Sequence, residues 1–128
     1  METQKKILIV EDDQFLREFY QELLTAEGYF VDVTADGEDA LKKIWESEFD
    51  LILLDIMLPK KDGLEILGEL KAHPAKSKDV KIVVLTNLGQ DSVIKQCFDL
   101  GAEGYLIKSA LNPDQVLTEI KSYLQKPA

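Results

Sequence analysis

Glu11, Asp12 and Asp13 follow directly on the apolar run KILIV (Lys6 to Val10), and Asp55 follows directly on LILL (Leu51 to Leu54). Carboxylates crowded together repel one another unless a cation neutralises them. With no His or Cys among them, the fitting guest is a hard divalent ion. Mg²⁺ takes only one or two protein carboxylates, keeps waters, and shares its remaining positions with phosphate oxygens. Thr86 ends the stretch that begins VKIVVL (Val80 to Leu85), and Lys108 comes at once after GYLI (Gly104 to Ile107). A hydroxyl and an ammonium are the donors an anionic phosphoryl group needs beside a carboxylate. Taken singly, each has a plainer reading. Acids favour a helix start by ~0.3–1 kcal/mol, a threonine can cap a strand end, and a lysine can sit on the surface. Asp55 is harder to dismiss, because an acid at the mouth of a buried strand costs desolvation unless it is paired or metal-bound.

These residues need elements to carry them. The runs Lys6 to Val10, Leu51 to Leu54 and Val80 to Leu85 are nearly unbroken, as expected of strands buried on both faces of a parallel sheet, and Phe30 to Thr34 and Gly104 to Ile107 supply two shorter ones. Between them the period becomes helical. Phe15, Leu16, Phe19, Tyr20, Leu23 and Leu24 form a first stripe that ends at Gly28, and Ala40, Leu41, Ile44 and Trp45 form a second behind Asp36. Leu64, Leu67 and Leu70 precede Pro74; Val93, Ile94, Cys97 and Leu100 precede Gly101. A last stripe of Val116, Leu117, Ile120 and Leu124 is entered through Asn112 and Pro113. Strict strand–helix alternation, (βα) five times, implies an α/β fold with an open, doubly wound, five-stranded parallel sheet. Its ligands belong outside the carboxyl ends of the strands.

At 128 residues, residues 1–128 are expected to form a single domain, with a core of about 5–124. The net charge of −9 argues against direct binding to nucleic acid or to an anionic membrane, and points to a cation or a protein as partner. Cys97 is the single cysteine and no signal segment or long apolar run opens the chain, so a cytoplasmic location is expected. Cys97 reads as a small buried hydrophobe, His73 as an exposed helix end, Trp45 as packing on the second helix and Tyr105 as half-buried packing.

Glu11-Asp12, Asp55, Thr86 and Lys108, at the ends of strands one, three, four and five, resemble the response-regulator receiver domain (CheY-like) of two-component signalling. DIMLPKKDG (Asp55 to Gly63) is similar to that family's loop after the phosphoacceptor, and GAEGYLIK (Gly101 to Lys108) to its approach to the lysine. The resemblance implies a flavodoxin/CheY-like strand order, 2-1-3-4-5. It implies that Asp55 takes a phosphoryl group from a histidine kinase, a histidine phosphotransfer protein or a small acyl phosphate. Mg²⁺ would be held by Asp12, Asp55 and the backbone carbonyl of Met57, with Glu11 acting through water. Thr86 and Lys108 would hold phosphoryl oxygens, and Tyr105 would turn inward as Thr86 shifts. The signal would leave through helix four, strand five and helix five, about Gln90 to Gln125, towards an unidentified output protein. The expected product is a stand-alone, non-enzymatic signalling switch, either a monomer or a phosphorylation-dependent dimer.

Some residues depart from that pattern. Ser109 stands where the family usually has proline, and Asn87 where it has a smaller residue. Met57 and Leu88, second after Asp55 and Thr86, are the positions that tune hydrolysis; being apolar, they cannot orient an attacking water, which predicts a long-lived phosphoaspartate. A degenerate receiver that only docks a partner is the alternative. A haloacid-dehalogenase-like phosphatase needs a second acid where Met57 stands. A flavodoxin needs a phosphate-cradling loop where Glu11-Asp12-Asp13 stands, and those acids would repel a flavin phosphate.

Overall fold

The computed structural model describes residues 4–87, 91–108 and 112–125. Five strands alternate with five helices: β1 (Lys6–Val10), α1 (Gln14–Ala26), β2 (Phe30–Thr34), α2 (Gly37–Glu46), β3 (Leu51–Asp55), α3 (Gly63–Ala72), β4 (Lys81–Thr86), α4 (Asp91–Asp99), β5 (Gly104–Ile107) and α5 (Pro113–Gln125). All strand pairs are parallel, in the order β2-β1-β3-β4-β5. β4 starts one residue later than its apolar run suggests. Lys81, not Val80, pairs with Leu51, and its N–H donates to the Asp50 carbonyl at 3.0 Å.

Strand residues alternate between two cores. Leu8, Val10, Ile52, Leu54, Ile82 and Val84 pack with α2, α3 and Cys97 of α4 on one face. Ile7, Ile9, Leu51, Leu53, Val83, Leu85 and Leu106 pack with α1 and α5 on the other. Each fully buried leucine or isoleucine contributes about 1.5–3 kcal/mol, so the sheet is a rigid platform for its own ends. Cys97 is buried, as its stripe suggests, and His73 is exposed.

The helix starts are fixed by side chains that satisfy otherwise unpaired N–H groups. Asp13 accepts from Leu16 N–H, Asp36 from Asp39 N–H, and Asp62 forms a capping box with Glu65. Asn112 and Gln115 exchange reciprocal hydrogen bonds of 2.9 Å at the start of α5. Gly28 and Gly101, at φ 96° and 109°, end α1 and α4 in the left-handed region.

Two aromatic side chains of these stripes are exposed. Phe15, in the first turn of α1, is 77% exposed. Trp45 is 37% exposed at the edge of α2, donating from Nε1 to the His73 carbonyl at 2.8 Å. Among the described residues, no helix is long and apolar enough to cross a membrane.

Gly37, at the start of α2, lies against the loop that follows β3. Its N–H donates to the Pro59 carbonyl at 3.3 Å, and a methyl group there would overlap the Lys61 carbonyl. Gly37→Ala is therefore expected to cost about 1–3 kcal/mol in urea unfolding, the usual range for overpacking. An unchanged midpoint would show that the loop yields freely.

Candidate functional site

Register explains how the acids meet. Val10 pairs with Leu54, so the next residues, Glu11 and Asp55, emerge side by side where β1 and β3 end. Alternation gives both the same face as Ile9 and Leu53, the α1/α5 face. Lys108 follows Ile107 in phase with Leu106, which packs on that same face. Its N–H donates to the Thr86 carbonyl at 2.9 Å, extending the β4–β5 ladder by one residue.

The result is a buried cluster. Lys108 Nζ donates to Asp55 Oδ2 at 2.9 Å and lies 2.8 Å from Glu11 Oε1. Met57 N–H donates to the other Asp55 oxygen, Oδ1, at 3.1 Å. Glu11 is fully buried and Asp55 3% exposed. Burial, then a hydrogen bond with Asp55, raises the Glu11 pKa from 4.5 to about 7 against the opposing pull of Lys108. Burial disfavours the Lys108 charge, yet the hydrogen bond to Asp55 and the close approach of the Glu11 carboxylate outweigh it and leave its pKa raised.

One ammonium facing two buried carboxylates leaves negative charge uncompensated. Glu11, Asp12 and Asp55 each present an oxygen, and these oxygens lie within 4.8 Å of one another. Glu11 Oε1, though close to Nζ, has no aligned hydrogen-bond partner among the described residues. Oxygen-only donors and excess negative charge fit a hard divalent cation such as Mg²⁺. Asp13 does not join the cluster, because its carboxylate caps α1.

Thr86 lies on the opposite phase. It follows Val84 and Ile82 in alternation, and its hydroxyl donates to the Asn87 carbonyl at 3.0 Å rather than to Asp55. A small cleft beside Asp55 is lined by Asp55, Ile56, Met57, Leu85, Thr86 and Asn87. Tyr105 pairs with Val84 and stands 42% exposed, packed edge-on against Phe98 of α4 at 6.2 Å between ring centroids. This is the half-buried packing expected of it. The Met57 side chain is 71% exposed. Leu88, Gln90 and Ser109 lie outside the described residues.

The residue that sequence reading passed over is Arg17. Its Nη1 donates to the carbonyls of Glu11 at 3.0 Å and Asp12 at 3.3 Å. The available signal was a guanidinium one helical turn beyond Asp13, within reach of the strand–helix turn.

With this geometry in place, the comparisons are specific. The family model for the response regulator receiver domain matches residues 7–121. The chain belongs to that family. This receiver is 32% identical over 124 residues to the transcriptional regulatory protein ResD of Bacillus subtilis, covering 97% of this chain and 50% of ResD. It is also 32% identical over 109 residues to the chemotaxis protein CheY of Halobacterium salinarum, covering 85% of this chain and 88% of CheY. The receiver domain of a Pseudomonas aeruginosa sensor histidine kinase superposes on it with a TM-score of 0.84 and 26% identity, covering 97% of this chain and all of that one. That structure was solved with a magnesium ion coordinated in its active-site cleft. The receiver spans about half the length of several of the curated relatives it matches.

Proposed function

We propose that this receiver is a phosphorylation switch in which Asp55 accepts a phosphoryl group with the help of Mg²⁺. The observation that carries the reading is the meeting of Glu11, Asp12 and Asp55 oxygens within 4.8 Å, with Lys108 bonded to Asp55. An Asp55 oxygen forms the new bond to phosphorus as the bond from phosphorus to a histidine nitrogen, or to the oxygen of a small acyl phosphate, breaks. The leaving group departs with the electron pair. Lys108 is poised to hold one phosphoryl oxygen. Thr86 would hold another once its hydroxyl leaves the Asn87 carbonyl, and the cleft between Met57 and Asn87 gives the group room. Asp12, Asp55 and the Met57 carbonyl would hold Mg²⁺ directly and Glu11 through water. The ion supplies neutralisation of the charge on the transferring group. A magnesium-bearing relative supports this assignment.

Phosphoryl donors of this class are sensor histidine kinases or histidine phosphotransfer proteins. The output follows from the face of α4, β5 and α5, where Tyr105 would turn inward as Thr86 shifts, and a protein partner or a second copy of the receiver would read the change. In this reading the domain works in the cytoplasm and catalyses only its own phosphorylation and slow dephosphorylation. A docking module that never takes phosphate has no use for two buried carboxylates facing one lysine. Incubation with acetyl phosphate, followed by intact-mass measurement, is expected to show one added phosphoryl group with Mg²⁺ and none with EDTA. The adduct should persist, since Met57 offers no polar group to orient water. A metal-independent adduct, or none under either condition, would overturn the proposal.

A further inference from the structure

We propose that Arg17 is a positioning residue for the acidic site, fixing the main chain of Glu11 and Asp12 so that both carboxylates face Asp55. The inference rests on the reading of Glu11, Asp12 and Asp55 as the cation site. The chain leaves β1 at Val10 and enters α1 at Gln14, so Glu11 and Asp12 lie in the connection between the two elements. Glu11 is tied by its N–H to the Thr34 carbonyl of β2 at 3.1 Å. Its own carbonyl, and that of Asp12, both accept from Arg17 Nη1, at 3.0 and 3.3 Å. Arg17 is anchored in turn by its N–H to the Asp13 carbonyl at 2.9 Å, in a helix whose start is capped by Asp13. The guanidinium therefore clips two successive peptide units to the first turn of α1.

The clip matters most for Asp12. Glu11 is buried and held by the core, whereas Asp12 is exposed, and its direction depends on the peptide that carries it. Both bonds come from one nitrogen, Nη1, at the far end of the planar guanidinium. An ammonium on a lysine stem keeps the charge but ends one bond short of that reach and lacks the fixed plane.

Charge and positioning predict opposite results, which makes the role testable. A cation beside an acidic site repels Mg²⁺, so if Arg17 acted by charge alone its removal would tighten Mg²⁺ binding and a lysine would leave it unchanged. If it positions the ligands, both Arg17→Met and Arg17→Lys weaken binding, by about 10-fold, as for other residues that orient metal ligands without touching the ion. The measurement is an MgCl₂ titration of ¹⁵N-labelled protein followed by amide shifts, with circular dichroism in EDTA to show that each variant is folded. Weaker binding in folded Arg17→Lys, and in Arg17→Met where it folds, supports the inference. Wild-type or tighter binding in Arg17→Lys overturns it while leaving the cation site intact. No Mg²⁺ binding by the wild type removes the cation site and the inference with it.

Discussion

Replacing Lys108 with methionine is expected to destabilise the metal-free domain by about 3–5 kcal/mol at about pH 8, the cost of leaving buried charges without their partner. Lys108 is the described cation within ion-pair distance of Glu11 and Asp55, whose side chains are 0% and 4% exposed. The loss should depend on pH with a definite sign. Glu11 has a folded pKa of about 7 against an ordinary 4.5. A carboxyl that binds its proton more tightly when folded contributes most below the lower value and loses that contribution as pH rises through the higher one. Methionine at position 108 removes an influence that lowers the Glu11 pKa, so this window moves upward. Urea unfolding in EDTA should therefore show a large deficit at about pH 8 that shrinks at about pH 5, where Glu11 carries a proton. Equal deficits at the two pH values would mean that Lys108 stabilises through Asp55 or through packing of its stem, and not through Glu11.

Asp55→Asn is expected to abolish labelling by acetyl phosphate without weakening the metal-free fold. The amide has no nucleophilic carboxylate oxygen, so the loss should be complete rather than partial. Its carbonyl can still accept from Met57 N–H, the contact Asp55 Oδ1 makes at 3.1 Å, while Lys108 loses Asp55 Oδ2 as acceptor and keeps Glu11 as its partner. Removing one of two adjacent acids also leaves Glu11 alone with Lys108, which converts a mismatched trio into a balanced pair. Urea unfolding of Asp55→Asn in EDTA should give a midpoint at or above that of the wild type. A marked fall would assign Asp55 a structural role that outweighs its repulsion of Glu11.

The fold was legible because the physics is local. Unbroken apolar runs such as LILL can be satisfied only between two helical layers, and the stripes from Leu16 to Leu24 and Val116 to Leu124 supply those layers. Strand order is not local; here it came from family resemblance, and the structure has the same order. Much of the site was also legible, since Glu11, Asp12, Asp55 and Lys108 each stand just past, or at the last residue of, a strand. What the sequence does not carry is register and phase. The pairing of Val10 with Leu54 sets Glu11 beside Asp55, while the Thr86 hydroxyl bonds the Asn87 carbonyl. Phe15 fits a helical stripe yet is exposed, and the Arg17 hydrogen bonds depend on a strand–helix connection that no periodicity describes.

The central claim is that Asp55 itself carries the phosphoryl group, and borohydride trapping tests this most directly. Hydride reduces an acyl phosphate on an aspartate to the alcohol, so protein treated with acetyl phosphate and Mg²⁺, reduced and digested, should yield a peptide with homoserine in place of Asp55. A reduced side chain at any other acid, whether homoserine at Asp12 or hydroxynorvaline at Glu11, or at none, would contradict the account.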